Sequence, residues 1–181
     1  MPPLVVLAGF RATGKTVVGK KLAALLDCGF LDTDAEIENR MGLTIAESVA
    51  RSGWSRFRSE EKKLLAEIAD RKSRVVVATG GGAIRHHAEW RLLRKNALVV
   101  WLQADSATIR DRLQADGKTE TQRPALLDGD ADREIEILLA ERESLYLQGS
   151  DLIIAAGEKT PEQVAAGIRE KLDQYGQPPE G

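Results

Sequence analysis

A chain of 181 residues with 43% hydrophobic content is near the usual size of one domain and can fill a sizeable core. Its 26 Lys and Arg against 28 Asp and Glu leave a formal charge of -2, so no overall field gathers nucleic acid or an anionic membrane, and any anion must be gripped locally. The single Cys28 excludes an internal disulfide framework, no stretch approaches the roughly 20 apolar residues of a membrane helix, and Leu4 to Ala8 is too short and lacks the basic flank of a signal peptide, so the expectation is a soluble, cytoplasmic protein.

The first strand candidate, Leu4 to Ala8, leads into "GFRATGKT", Gly9 to Thr16, and then into a segment of helical period from Lys15 to Leu26. A glycine, four free positions, Gly-Lys and Thr form the phosphate-loop pattern. Its glycines let backbone N–H groups turn inward around phosphate oxygens, and the helix opening near Lys15 adds its positive end. Lys15 reaches the β and γ phosphates of a nucleotide, and Thr16 can ligate Mg²⁺. Nucleotide contacts are expected from Ala12, Thr13, Gly14, Lys15, Thr16 and Val17. A tight turn without a ligand is the bland alternative, and the placement between strand and helix weighs against it.

The second strand candidate, Gly29 to Leu31, delivers "DTDAEIE". Carboxylates two apart on an extended segment can lie on one side and do different jobs: one of Asp32 and Asp34 could hold Mg²⁺ through water while the other faces an acceptor hydroxyl. A helix N-cap is the alternative, since Asp is favoured there and "AEIENR" looks helical. Thr44 and Glu47 have capping-box spacing. A helix from Trp54 to Arg71 carries "FRSEE", which sets Arg58 and Glu61 one turn apart on a shared face. Alone, such a pair is ordinarily a solvated surface contact. Trp54 and Phe57 read as that helix's apolar face or as a pocket wall.

Three glycines, Gly80 to Gly82, follow the strand candidate Arg74 to Thr79. A plain strand-to-helix turn needs one or two, and a third favours close approach of a ligand to the backbone. His86 and His87 stand at the start of a helix from His86 to Lys95, without the Cys or acidic pattern of a metal site. Then come a strand from Ala97 to Leu102, a helix from Ser106 to Gln114, a helix from Asp132 to Tyr146, a strand from Asp151 to Ile154 and a helix from Thr160 to Tyr175. The polar stretch "QADGKTETQRP", Gln114 to Pro124, reads as a mobile flap or else a solvated loop. Five strands alternating with helices mean α/β, a three-layer sandwich around a parallel sheet; "VVVAT" and "LVVWL" have the continuous apolar character of strands covered on both faces. One domain is expected over residues 1 to 176, with 177 to 181 as a disordered tail.

Taken in order, "GFRATGKT", "DTDAEIE", "FRSEE", "ATGGGAI", "QRPAL" and "LAERESLY" make the chain resemble shikimate kinase, a family of small P-loop kinases with the nucleoside-monophosphate-kinase fold. The resemblance runs from Leu4 to about Val164. It implies ATP-dependent phosphorylation of the 3-hydroxyl of shikimate, giving shikimate 3-phosphate and ADP on the route to chorismate and the aromatic amino acids. It implies Lys15, Asp34 and Arg123 as the catalytic residues, with Asp34 facing the reacting hydroxyl and Arg123 as a lid arginine near the transferred phosphate. Thr16 and Asp32 would serve Mg²⁺. Asp34, Arg58, Glu61, the Gly80, Gly81 and Gly82 backbone, and Arg142 would hold shikimate; Arg112 would pack on adenine. One departure is plain: the family often has an Asp in the turn that lines adenine, where "LIIAAGEKT" has Ala155 and Gly157. The expected partners are ATP and shikimate only, on a monomer. Three alternatives remain: a gluconate-kinase-like enzyme, a nucleoside-monophosphate kinase, and a nucleotide-binding regulatory module that transfers nothing.

Overall fold

In this computed structural model residues 4–116 and 131–175 are described. They form β1 (Leu4–Ala8), α1 (Lys15–Leu25), β2 (Gly29–Asp32), α2 (Thr33–Met41), α3 (Ile45–Ala69), β3 (Val75–Ala78), a 3₁₀ turn (Ala83–Arg85), α4 (His87–Leu93), β4 (Ala97–Gln103), α5 (Ser106–Asp116), α6 (Ala131–Gly149), β5 (Leu152–Ala155) and α7 (Pro161–Tyr175). The five strands make one sheet in the order β2-β3-β1-β4-β5, and every pairing is parallel. After β1 the chain crosses to β2, whereas after β3 it returns past β1 to β4. The carboxyl ends of β1 and β3 therefore flank the point where the winding reverses, the place where open α/β sheets bind ligands.

Alternation along the central strands divides the core. Leu4, Val6 and Ala8 of β1 and Val99 and Trp101 of β4 point to the face covered by α2, α3, α4 and α6, where they meet Ile37, Leu64, Leu65, Ile68, Leu93 and Tyr146. Val5 and Leu7, with Val76, Val100 and Leu102, point to the opposite face against Val18 and Leu22 of α1 and Val164, Ile168 and Leu172 of α7. Both faces are dry, which explains why these strands read as unbroken apolar runs rather than as alternating ones. A third cluster joins Phe10 of the loop after β1 to Ile109 of α5 and Ile135 and Leu138 of α6, so the base of α5 and α6 is packed onto the phosphate loop.

Most helices shift by one to three residues at their ends, and two stretches depart further from the expected extents. The segment after β2 folds as α2, and its N-cap is Asp32, whose Oδ1 accepts from the Asp34 and Ala35 N–H groups at 3.0 and 3.3 Å. The helix expected from Trp54 begins at Ile45, behind a complete Thr44–Glu47 capping box, and bends at Gly53, which has φ 71° and ψ 172°. Trp54 is thus the first residue beyond the bend.

Candidate active site

The phosphate loop is shaped by backbone that ordinary residues avoid: Gly9 has φ 143°, Ala12 φ 61° and Gly14 φ 89°. A Cβ on Gly9 would stand 2.6 Å from the Leu102 carbonyl oxygen, so this position is closed to any larger residue. Lys15, the first residue of α1, is buried, and its Nζ arches over the loop to donate to the Gly9 and Phe10 carbonyls at 2.9 and 2.6 Å. The Thr13 hydroxyl donates to the Phe10 carbonyl at 2.9 Å.

Thr16, one residue into α1, donates from its hydroxyl to Asp32 Oδ2 at 2.6 Å. A hydroxyl and a carboxylate therefore stand side by side beneath the loop. These are hard oxygen donors, the type Mg²⁺ takes when most of its shell is water and phosphate. Among the described residues no group of three or more His, Cys, Asp or Glu could hold a metal. Between the two aspartates, Thr33 is buried and its Oγ1 accepts from the Gly80 N–H at 3.0 Å, which fastens the end of β2 to the glycine turn after β3.

That turn is a floor. A Cβ on Gly80 would meet Asp34 Oδ1 at 2.7 Å and Glu61 Oε1 at 2.9 Å; on Gly81, the Arg11 backbone nitrogen at 3.2 Å; on Gly82, the Arg58 guanidinium at 2.7 to 3.0 Å. All three glycines are thus pressed by the protein's own groups, whereas the sequence pointed to a ligand. The pocket above them has a cavity volume of ≈ 20 Å³, apolar walls from Phe10, Trp54 and Phe57, and polar ones from Arg11, Arg58, Glu61 and Arg142. Arg58 lies over the rings of Trp54 and Phe57 at 5.2 and 5.1 Å and donates from Nη1 to Glu61 Oε2 at 2.5 Å. This pair is no solvated surface contact: only 1% of the Glu61 side chain is exposed, because the bend at Gly53 turns this stretch of α3 inward over the glycines.

Arg142, on α6, approaches from the opposite wall. It lies 5.3 Å over the Phe10 ring, and its Nη1 donates to the Gly81 carbonyl at 3.3 Å. The Tyr146 hydroxyl, one turn on, donates to the same carbonyl at 2.6 Å. The Arg142 Nε and Nη2 are buried and make no hydrogen bond among the described residues. Burial lowers the pKa of Arg142 below the ordinary arginine value; Tyr146 opposes this, while the positive charges of Arg85 and Arg58 add to it. An anion facing Nε and Nη2 would relieve both the desolvation and the repulsion.

Arg112 of α5 donates from Nη2 to the Ala156 and Gly157 carbonyls at 2.7 and 2.8 Å and from Nη1 to the Ala12 carbonyl at 3.3 Å. It ties the turn after β5 to the phosphate loop. That turn has Ala155 and Gly157 where the sequence resemblance leads to an Asp, and it offers the Ala156 and Gly157 carbonyls to Arg112.

The family model described as "Shikimate kinase" matches residues 11–173. The chain belongs to the shikimate kinase family. A shikimate kinase of Pelotomaculum thermopropionicum is 44% identical over 142 residues, 78% of this chain and 80% of that one. One of Moorella thermoacetica is 41% identical over 172 residues, 95% of each chain. The solved structure of shikimate kinase from Acinetobacter baumannii in complex with shikimate superposes with a TM-score of 0.90 at 30% identity, over 98% of this chain and 96% of that one.

As a shikimate kinase the chain is a phosphotransferase that phosphorylates shikimate at the expense of ATP, a reaction that generally employs a divalent metal. No helix among the described residues is long and apolar enough to cross a membrane. Lys15, Thr16, Asp32, Asp34, Arg58, Glu61, Gly80, Gly81, Gly82 and Arg142 all lie along the carboxyl edge of β1, β2 and β3 or on the helices that face it. Ala12, Thr13, Gly14 and Val17 complete the loop and the first turn of α1, where Val17 is 49% exposed. Arg123 and the flap from Gly117 to Pro124 lie outside the described residues, whereas Gln114–Asp116 end α5. Besides Phe10 of the pocket wall, three polar site residues escaped the sequence reading. Arg11 lines the pocket and pairs with Glu134 of α6 at 3.3 Å. Tyr146 had a signal, since it stands four residues after Arg142 on one helix face. His86 had none: it is buried, and its Nε2 lies 2.7 Å from Glu61 Oε2, a residue 25 positions away.

Proposed function

We propose that the γ-phosphoryl group of ATP passes to the 3-hydroxyl of shikimate in the pocket between the phosphate loop and the Gly80–Gly82 turn. The observation that carries this reading is the pair of guanidinium groups at the pocket's far end, with buried Arg142 holding two nitrogens unbonded and Arg58 lying over Gly82. A planar carboxylate fits that pair, because its two oxygens can engage forked N–H donors in parallel. With the carboxylate there, the ring's hydroxyls turn toward Asp34 and the loop. The shikimate complex of the Acinetobacter baumannii relative supports the same occupant.

In this reading Asp34 orients the 3-hydroxyl and accepts its proton as the hydroxyl oxygen bonds to the γ-phosphorus and the bond to the β,γ-bridging oxygen breaks. Lys15 leaves the Gly9 and Phe10 carbonyls for the β and γ phosphate oxygens, while Ala12, Thr13, Gly14 and Val17 line the nucleotide. Thr16 and Asp32 would hold Mg²⁺, which would supply charge neutralisation on the phosphates. Arg112 packs on adenine with its plane set by the Ala156 and Gly157 carbonyls. Arg123 would meet the charge on the moving phosphoryl group. Residues 1 to 176 form one catalytic domain, acting as a monomer in the cytoplasm.

Two variants separate chemistry from grip. Asp34→Asn lowers kcat by about 10² to 10⁴, the usual contribution of a positioned general base. Arg58→Lys loses the planar fork and raises the KM for shikimate while sparing that for ATP. Steady-state kinetics with each substrate varied checks both. Asp34→Asn working at the parent rate, or Arg58→Lys raising only the KM for ATP, overturns the placement of the acceptor.

A further inference from the structure

Beside the acceptor pocket, against Glu61 of its lining, one buried group has no part in the reaction just described. His86 is 7% exposed, and its ring stands within hydrogen-bond distance of Glu61. Glu61 Oε2 accepts twice, from Arg58 Nη1 at 2.5 Å and from His86 Nε2 at 2.7 Å. The carboxylate acceptor assigns the Nε2 proton to His86.

The ring is held from a rigid segment. The His86 N–H donates to the Ala83 carbonyl at 3.1 Å, and its own carbonyl accepts from the Trp90 N–H at 2.8 Å, so the residue is fixed between the 3₁₀ turn and α4. That turn continues directly from the Gly80–Gly82 floor. Arg58, by contrast, is a long side chain on the partly exposed rim, with 25% of it open to solvent. The two donors on Glu61 are therefore unequal: one is anchored through backbone to the turn that follows the glycine floor, the other sits at the end of a long side chain that packs on the Trp54 and Phe57 rings.

We propose that His86 is a positioning residue for shikimate: it fixes the Glu61 carboxylate, and through it the guanidinium of Arg58. Two consequences follow from the geometry. A carboxylate with one anchored donor presents its plane to Arg58 in a single orientation, so the fork stands ready over Gly82. When Arg58 turns toward a substrate carboxylate, Glu61 keeps a hydrogen bond, and a buried charged acceptor is not left bare. Without His86, each turn of Arg58 toward substrate would strip the carboxylate of both donors. The loss falls on binding of the acceptor rather than on phosphoryl transfer, because Glu61 and His86 stand at the carboxylate end of the pocket. This inference rests on the assignment of Arg58 to the shikimate carboxylate.

His86→Ala is expected to raise the KM for shikimate about tenfold, the scale of one hydrogen bond to a charged group, with kcat and the KM for ATP within about twofold of the parent. His86→Gln places an amide donor toward Glu61 and should recover most of that loss. A purely structural histidine predicts something else: a lower melting temperature in both variants with the KM for shikimate unmoved. A second measurement needs no variant at the site. The chain has two histidines, His86 and His87, and His87 is exposed. In protein labelled with ¹⁵N-histidine, with the signals assigned through His87→Gln, saturating shikimate should shift the His86 Nε2 resonance and leave that of His87 in place. An unshifted His86 resonance, or equal KM values for His86→Ala and parent, overturns the proposal. A parent enzyme that releases no ADP on addition of shikimate overturns the function itself. An active parent whose Arg58→Lys variant loses shikimate affinity while both His86 readouts stay flat overturns only this inference.

Discussion

A Cβ on Gly82 would come within 2.7 to 3.0 Å of the tip of Arg58, whereas on Gly81 it would meet the backbone nitrogen of Arg11 at 3.2 Å and the Gly9 carbonyl oxygen at 3.4 Å. The difference lies in what can yield. A guanidinium at the end of a long side chain moves cheaply; the phosphate loop does not. Gly82→Ala should therefore fold with a melting temperature close to the parent's and raise the KM for shikimate several-fold, because a fork displaced by about 1 Å holds its anion poorly. Gly81→Ala should instead disturb the loop, so its larger effect falls on the KM for ATP. Kinetics with both substrates, beside thermal melts, checks the pair; a Gly82→Ala enzyme with parental shikimate KM would mean Arg58 does not hold the carboxylate. At this scale the sequence was legible wherever a residue type was out of place. Three glycines in a row and two aspartates after a strand announced close approach and charge. The partnership of His86 with Glu61 was not legible, since it arises only when α3 and the turn before α4 are packed together.

Elements were legible where burial was two-sided or where a cap was complete. Strand β1 lies where the sequence places it and the other four shift by only one residue at either end, because runs such as "LVVWL" can be satisfied only inside a covered sheet. The helix carrying Arg58 and Glu61 was placed from Trp54 onward, and the bend at Gly53 separates that part from the stretch before it. Its first part was announced by Thr44 and Glu47. There the Thr44 Oγ1 accepts from the Glu47 N–H at 3.2 Å, and the Glu47 carboxylate accepts from the Thr44 N–H at 2.8 Å. Thr44→Ala should cost about 1 kcal/mol, the usual worth of an N-cap side chain. The loss should also depend on pH. The Thr44 backbone N–H, followed by its hydroxyl, holds the Glu47 carboxyl below the ordinary carboxylate range. A lowered folded pKa stabilises fully above the unfolded value of about 4.3 and ceases to stabilise as pH falls through the folded value. The gap in melting temperature between parent and Thr44→Ala should thus be full at neutral pH and narrow in acid. A gap that widens in acid would contradict the capping box as the source.

At the scale of the whole molecule, the parallel sheet gathers every loop of the site at one edge, so residues as distant in sequence as Lys15 and Arg142 face one pocket. Sequence order alone conveyed this, since strands alternating with helices must be parallel, and parallel strands place their carboxyl ends together. What it did not convey is how the two ends of the reaction are joined. Arg11 of the phosphate loop pairs with Glu134 of α6, the helix that also bears Arg142, and Arg112 ties the same loop to the turn after β5. Such contacts depend on the packing of Phe10 against α5 and α6, which no local pattern encodes. The central claim is that this arrangement moves the γ-phosphoryl group of ATP to shikimate. Its most direct test is ADP release by the purified protein with Mg²⁺ and ATP, followed with shikimate, with gluconate, with nucleoside monophosphates and with no acceptor. The account predicts rapid release with shikimate alone, matched one for one by shikimate 3-phosphate. Equal release without an acceptor, or release that follows gluconate or a nucleoside monophosphate rather than shikimate, would contradict it.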